Sequence, residues 1–421
     1  MSAGKLERYA SYKDSGIEWL GEVPAHWNLA RNKEIFFERG SLSQSGEETL
    51  LTVSHITGVT RRSEKNVNMF MAETMEGYKH CRTGDLIVNT MWAWMGALGT
   101  ARENGICSPA YGVYAPRKGV PYNHGYFDYL YRTPKAVSEM TRNSKGIVSS
   151  RLRLYPKEFF QILTALPNYN EQTTISAYLD AKTTQIDRKI DLLSKKVEVY
   201  SDLKKSLINE TITRGLDASV DLKDSGVEWI GEVPKHWEIR RLKDFIRYTI
   251  GGEVIDTSYW NSGTELTYTA GKYPVNSNFN NFPNRKRTKI NDILIARNGD
   301  GFIHIPKLNS IFTNVVQMVR LSRQVDVRFI YYALENIKLN VNKTSNGDFI
   351  ASLNKEMWFN QFLSIPKIIE QRTIADFLDE NTRQIDRIVV NINSQIDKMK
   401  ELRKTLISDV VTGKVKVFGE G

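Results

Sequence analysis

The chain has 421 residues, 41% of them apolar, 10% aromatic and 25% charged, which excludes a single small domain at roughly 100–200 residues per domain and excludes disorder by composition. Lys and Arg number 58 against 48 Asp and Glu, a net charge of +10 with pI near 9.3, a mild bias towards polyanions. Cys81 and Cys107 cannot build a disulfide framework or a four-ligand zinc site, and no stretch approaches the ~18 apolar residues of a membrane span or offers an apolar leader, so a soluble cytoplasmic protein is expected.

The first element is a tryptophan-containing opening. Residues 14–27 read DSGIEWLGEVPAHW, and 210 positions later residues 224–237 read DSGVEWIGEVPKHW, identical at 11 of 14 positions. His26 and His236 read as packing or capping residues beside Trp27 and Trp237 rather than as general bases. The middle that follows, 28–165, is mixed. Asp85–Val88 is a predicted strand and Phe127–Tyr131 a short helix, between turn-forming residues, so an α+β domain is expected. Trp92 and Trp94, two apart, would share one face of a strand and serve as core, groove wall or a stacking surface for DNA. Basic residues cluster among turn formers: Arg61, Arg62 and Lys65, then Arg142 and Lys145, then Ser149 and Arg151.

The closing segment, 166–193, recurs 199 positions later at 365–392, with 12 of 28 positions identical. It leads into a long predicted helix whose apolar seam falls at Ile186, Ile190, Leu193, Val197, Tyr200, Leu203 and Leu207, spacings close to the coiled-coil alternation. Adding 199 lands on Ile385, Val389, Ile392, Ile396, Met399, Leu402 and Leu406, all apolar again. Pro167 and Pro366 precede the two helices and Gly215 and Gly413 stand where they should end. About 40 helical residues make a rod of roughly 60 Å. A single apolar stripe needs a partner, and the simplest is the other rod, packed antiparallel so that each end meets the opposite globular part.

The second middle, 238–364, again reads as α+β: strands at Asp292–Ala296 and Val315–Leu321, a short helix at Arg328–Leu334. Its basic clusters are Arg285, Lys286, Arg287 and Lys289, then Arg297 with Asn298, then Lys343 with Asn346. Arg and Lys suit phosphates and guanine edges while Asn suits adenine, so such loops fit reading of bases as well as backbone binding. The charge excess divides accordingly: residues 1–169 hold 21 basic and 16 acidic residues and 215–369 hold 20 and 16, whereas the helical segments are near neutral at 8 and 7 and at 9 and 9.

Catalytic motifs are missing. There is no GxxxxGK[ST] phosphate loop and no [DNS]PP[YF] of an amino-methyltransferase, since Asn281–Asn284 lacks the paired prolines. His80, Cys81, Cys107 and His124 fit no common metal spacing.

Two copies of DSG[IV]EW[LI]GEVPxHW, each followed by a variable middle and by EQxTIxxxLDxxTxQIDR leading into a heptad rod, resemble the DNA-specificity subunit of Type I restriction-modification enzymes over the whole chain. Gly84–Ala101, with Ser108–Tyr111, also resembles a recurring type of recognition domain, and Asn291–Gly301 carries a looser likeness in the second middle. The resemblance implies two α+β target-recognition domains (1–165 and 217–364) joined by two long helices (166–216 and 365–421, the latter with its tail) packed as an antiparallel coiled coil with a pseudo-twofold internal repeat. Each domain would read one half of a bipartite asymmetric target, and the helices would set the spacing. It further implies no cofactor and no catalysis in this chain. Two modification subunits would bind S-adenosylmethionine and methylate adenine, and restriction subunits would use ATP and Mg to translocate and cleave. A stand-alone bipartite DNA-binding protein and a coiled-coil scaffold are the alternatives.

Overall fold

A computed structural model describes residues 7–65, 74–147, 151–297, 301–341 and 358–418. The chain forms two compact units, one from residues up to 193 together with those from 394 onward, the other from 194–393. Each unit therefore contains one globular part and a portion of both long helices.

In the first unit the opening motif is a tight antiparallel hairpin, Tyr12–Asp14 against Glu22–Pro24. Its connecting turn is set by side chains: Asp14 Oδ1 accepts from Gly16 N at 2.9 Å and Ser15 Oγ from Ile17 N at 3.1 Å, the local bonding that makes Asp and Ser good turn residues. Leu20, Val23 and Trp27 are fully buried beneath it. Asn28–Arg31 then pairs with Leu163–Leu166, closing the globular part at its base. The main sheet is four-stranded and antiparallel, in the order Phe36–Glu38, Tyr111–Pro116, Leu86–Asn89, Leu98–Thr100. Helices His124–Tyr131 and Pro134–Asn143 lie beside it, N-capped by Asn123 and Thr133. Phe36, Tyr114, Tyr126, Phe127, Tyr131 and Phe159 form an aromatic core without solvent access. Arg39 and Asp85 join in a two-bond pair of 2.6 and 2.9 Å across the end of the sheet.

The second unit repeats the plan. The hairpin is Leu222–Asp224 with Glu232–Pro234, the base pair Glu238–Arg241 with Phe362–Ile365. The main sheet runs Ile246–Gly251, Val316–Leu321, Asp292–Ala296, Ile303–His304. An additional sheet pairs Trp260–Tyr268 antiparallel with Val275–Ser277 and parallel with Ile311–Phe312, and in the first unit Leu51–Ser54 likewise pairs antiparallel with Gly58–Arg61 while Leu50 bridges Ile106 in parallel. The predicted strands and short helices are present, with Arg328–Leu334 extended into the helix Val327–Val341.

The long helices are Tyr169–Arg214 and Ile368–Val411. Gly215 and Gly413 follow them with φ of +77° and +74°, the left-handed conformation in which a helix is most readily ended by glycine. In the first unit Ile175 and Leu179, early in the first helix, share a core with Val410 and Val411, late in the second. In the second unit Ile208 and Ile212, late in the first helix, share a core with Ile374 and Leu378, early in the second. The two helices thus pack together and run antiparallel. Along the seam Ile385, Ile392 and Ile396 are buried, and Ile186, Ile190, Leu193, Val197, Leu207, Val389, Met399 and Leu406 are half-buried. Leu203 and Leu402 depart from the predicted stripe, each being 51% exposed. An α-helix drifts by ~20° per heptad from a strict seven-residue repeat, and at this height the following residues, Lys204 and Arg403, face the other helix instead through ion pairs.

Candidate nucleic-acid interface

Among the carboxylates that tie the helices to the globular parts, one beside the tryptophan recurs in each unit. Glu171, in the first turn of the first helix, accepts Trp27 Nε1 at 2.9 Å and meets His26 Nε2 at 3.0 Å. Glu370 does the same for Trp237 at 3.0 Å and His236 at 2.9 Å. A carboxylate there also suits the positive end of the helix dipole. The adjacent amides complete the joint: Gln172 accepts from Asn123 N at 2.7 Å and donates to Pro167 O at 2.9 Å, and Gln371 accepts from Asp326 N and donates to Pro366 O, both at 2.8 Å. His26 and His236 are therefore structural partners, and the repeated Glu-Gln pair is the signal in the sequence that marks where they bind. The ends of the helices reach the same tryptophans, since a Cβ on Gly413 would meet Trp27 at 3.0 Å and one on Gly215 would meet Trp237 at 3.1 Å.

The predicted basic residues separate into two groups. Arg61 forms a two-bond pair with Glu103 at 2.7 and 2.6 Å, which holds the Glu103 carboxyl below its ordinary range. Arg142 is engaged by Glu18 at 3.0 Å and Glu139 at 3.2 Å. Lys286 pairs with Glu253 at 2.5 Å, and Arg287 bonds Glu265 at 2.7 Å and Asn309 O at 2.8 Å. Arg297 donates to Asn314 O at 2.6 Å. These groups hold their own loops in shape. Arg62 begins the short turn Arg62–Glu64, and Lys65 is half-buried, its ammonium pKa lowered by burial and then by Arg62. Lys145, Arg151, Arg285 and Lys289 are exposed and make no ion pair among the described residues. Ser149, Asn298, Lys343 and Asn346 lie outside the described residues.

Trp92 and Trp94 are not on a strand. The strand ends at Asn89, whose side chain accepts from Met91 N at 3.2 Å, and a 3-10 turn, Ala93–Met95, follows and is ended by Gly96 at φ +83°. This change of direction puts the two indoles side by side, ring centres 6.2 Å apart and planes at 15°. Trp94 is anchored through Nε1 to Met91 O at 3.0 Å, while Trp92 is 49% exposed. An exposed, flat, pre-stacked aromatic surface suits stacking against a base.

The second unit offers a basic hollow of about 520 Å³ that the sequence does not reveal, lined by Arg247, Lys289, Arg320 and Arg323 among others. Arg320 is committed to Asp292 at 2.7 and 2.9 Å, and Arg247, Lys289 and Arg323 remain exposed. Arg247 and Arg323 come to line one hollow because Ile246 pairs with Leu321 in the sheet, so no local sequence pattern marks them. A hollow of about 690 Å³ in the first unit is lined by Arg102, His124, Asp128, Asp187 and Arg403 among others, but Asp187 and Arg403 pair with each other and Asp128 with Arg132. Among the described residues no three His, Cys, Asp or Glu side chains group as metal ligands.

Residues 234–398 match the family model of the Type I restriction modification DNA specificity domain. Two curated relatives from Methanocaldococcus jannaschii are similar in sequence. One, described as the putative type I restriction enzyme MjaX specificity subunit, is 24% identical over 67% of this chain, and the MjaVIII specificity subunit is 23% identical over 62%. The match spans 64% of the length of each relative. Among solved structures, one from work on complex assembly and conformational transition of the type I R-M system superimposes with a TM-score of 0.68 at 15% identity, covering 92% of this chain and 98% of its own. The HsdS subunit from Thermoanaerobacter tengcongensis gives 0.53 at 16% identity, with 95% and 99% covered. This chain, written twice, carries the specificity-domain match over residues 234–398 and shares the fold of these solved structures along most of its length.

Proposed function

We propose that this chain is the sequence-reading, non-catalytic subunit of a Type I complex in the cytoplasm, and that its globular parts, residues 1–165 and 217–364, each read one half of an asymmetric bipartite DNA target. The segments 166–216 and 365–421 serve as the ruler between them. The observation that carries this reading is the pairing of unlike middles with like joints: the tryptophan–glutamate clamp and the ion pair between helices recur with the same chemistry in both units, while the residues around them differ. Repeated joints carrying unlike middles suit two readers of two different half-sites.

Lys145, Arg151, Trp92 and Trp94 in the first reader, and Arg285, Lys289 and the hollow of Arg247 and Arg323 in the second, are assigned to DNA. Arg61, Arg62, Lys65, Arg142, Ser149, Lys286, Arg287, Arg297, Asn298, Lys343 and Asn346 complete the candidate set. Two modification subunits that bind S-adenosylmethionine would methylate adenine, which needs the base out of the stack, and restriction subunits would use ATP and Mg.

The deciding experiment is to express the chain with its modification subunits in a host and sequence the modified bases. The expected result is methyladenine at a non-palindromic, two-part site. Inserting one helical turn into both long helices should lengthen the gap within that site. An unchanged gap, or methyl transfer by the chain alone, overturns the proposal.

A further inference from the structure

Residues 145–147 and 151–153 lie side by side and leave the first unit between two buried anchors. Ser144 is buried and donates its Oγ to Met140 O at 2.7 Å, and fully buried Leu154 donates its N–H to Thr90 O at 3.0 Å. Lys145 and Arg153 close the base by exchanging both backbone hydrogen bonds at 2.8 Å. The two segments approach so closely that a Cβ on Gly146 would lie 2.7 Å from Arg151 O. This stalk is thus held firmly, yet Ile147 on it is fully exposed, at 102%. A β-branched apolar side chain that stays in water gains nothing from folding.

The surroundings indicate what covers it. The sequence from Lys145 to Arg153, KGIVSSRLR, holds three cations and no acid, and none of the three makes an ion pair among the described residues. The anchor at Thr90 and the bond from Thr141 Oγ1 to Trp94 O at 3.4 Å place the stalk at the same end of the unit as the stacked Trp92 and Trp94. An apolar side chain flanked by cations, beside an exposed aromatic stack, is complementary to a polyanion with an apolar interior that can be pried open: duplex DNA entered between two base pairs.

We propose that Ile147 is a wedge that unstacks one base step in the half-site read by the first globular part, with Trp92 covering an exposed base face and Lys145, Arg151 and Arg153 holding the flanking phosphates. This deepens the reading given above and rests on it, since it requires that this end of the unit face DNA. Its role is in specificity: a step that unstacks easily is favoured over one that does not, at a position where no hydrogen bond reads the base.

The test uses the full chain assembled with its modification subunits, on duplexes of the mapped target with 2-aminopurine at single positions of that half-site other than the methylated adenine. One step should brighten several-fold on binding with the native chain. I147S, which alters an exposed side chain, should abolish the increase, and I147F, which restores an apolar group, should retain it. No brightening at any position, or equal brightening with I147S, overturns the wedge. K145A/R151A separates the two levels: a tenfold or greater loss of affinity with no Ile147-dependent brightening removes the wedge but leaves the DNA-facing assignment standing, whereas unchanged affinity removes both. Loss of modification-subunit binding by I147S, with the brightening intact, assigns Ile147 to a protein interface and also overturns the proposal.

Discussion

Asp187 Oδ1 accepts a hydrogen bond from Arg403 Nε at 2.9 Å, and the relation recurs 199 residues along, where Asp386 accepts from Lys204 Nζ at 2.7 Å. In the first unit the earlier helix supplies the acid, and in the second unit the later one does. Both pairs are substantially exposed, so each is expected to contribute only ~0.2–1 kcal/mol. A double-mutant cycle of D187A and R403A, followed by urea unfolding, should give a coupling in that range. A value several times larger would mean that the pairs carry stability rather than register.

The Glu171 clamp should behave differently, because Trp27 is fully buried. Replacing Glu171 with Leu strands the indole N–H, at a cost of ~1–3 kcal/mol. E171Q keeps an acceptor and should lose clearly less. E370L and E370Q should repeat the pattern in the other unit. Equal losses for Leu and Gln would show that the hydrogen bond to tryptophan is not what matters.

Glycines 215 and 413 end equivalent helices but face unequal crowding. Alanine at either position meets the left-handed backbone cost of ~1–2 kcal/mol. At Gly413 the new Cβ would also lie 2.3 Å from Pro24 Cδ, whereas at Gly215 the nearest atom is 3.1 Å away. G413A should therefore be the more destabilising by a further ~1–3 kcal/mol, measured by thermal or denaturant unfolding. The reverse order would contradict the close approach of Pro24.

Salt titrations of DNA binding should separate the two groups of cations. Removing Lys145 or Arg151 should reduce the slope of log K against log salt by about 0.9 for each phosphate that is no longer neutralised. R61A should change that slope less, because Arg61 is committed to Glu103, and should act mainly by loosening its loop. A larger slope change for R61A than for K145A would reverse the assignment.

His304 gives a pH signature. Burial lowers its pKa, a hydrogen bond with the Gly271 backbone raises it and Lys338 lowers it again, with a net decrease from the ordinary 6.5; its Nε2 is buried without a hydrogen-bond partner among the described residues. The folded chain thus binds this proton less readily than the unfolded chain. Stability from the neutral ring is complete above the ordinary imidazole range and is lost as pH falls through it towards the lower folded value. The melting temperature of the native chain should therefore fall more between pH 7 and pH 5 than that of H304Q. Parallel curves for the two would refute this.

Much of the architecture was legible because it is periodic. The repeated openings, the proline and glycine boundaries and the seven-residue spacing all report on local chain geometry, and the helices Tyr169–Arg214 and Ile368–Val411 follow them closely. Leu203 and Leu402 escaped because a fixed heptad pattern ignores the drift of a 3.6-residue helix. The candidate interface was less legible, for reasons of distance in sequence. Arg61 finds Glu103 and Arg287 finds Glu265 through tertiary pairing, so a run of basic residues does not reveal which of them is already occupied. Trp92 was misplaced on a strand because the turn that redirects it depends on the Asn89 side chain and on Gly96, neither of which alters the alternation of apolar residues.

The tail beyond the second helix returns to the beginning of the chain: Lys416 donates its N–H to Glu7 O at 2.8 Å, and Tyr12 donates its hydroxyl to Lys414 O at 3.1 Å. The first unit is therefore discontinuous, while the second is a single stretch. During synthesis, which proceeds from the N-terminus, the later-encoded unit can mature first. The earlier one must wait, its Trp27 pocket unsealed, until Gly413 and the residues after it have been translated.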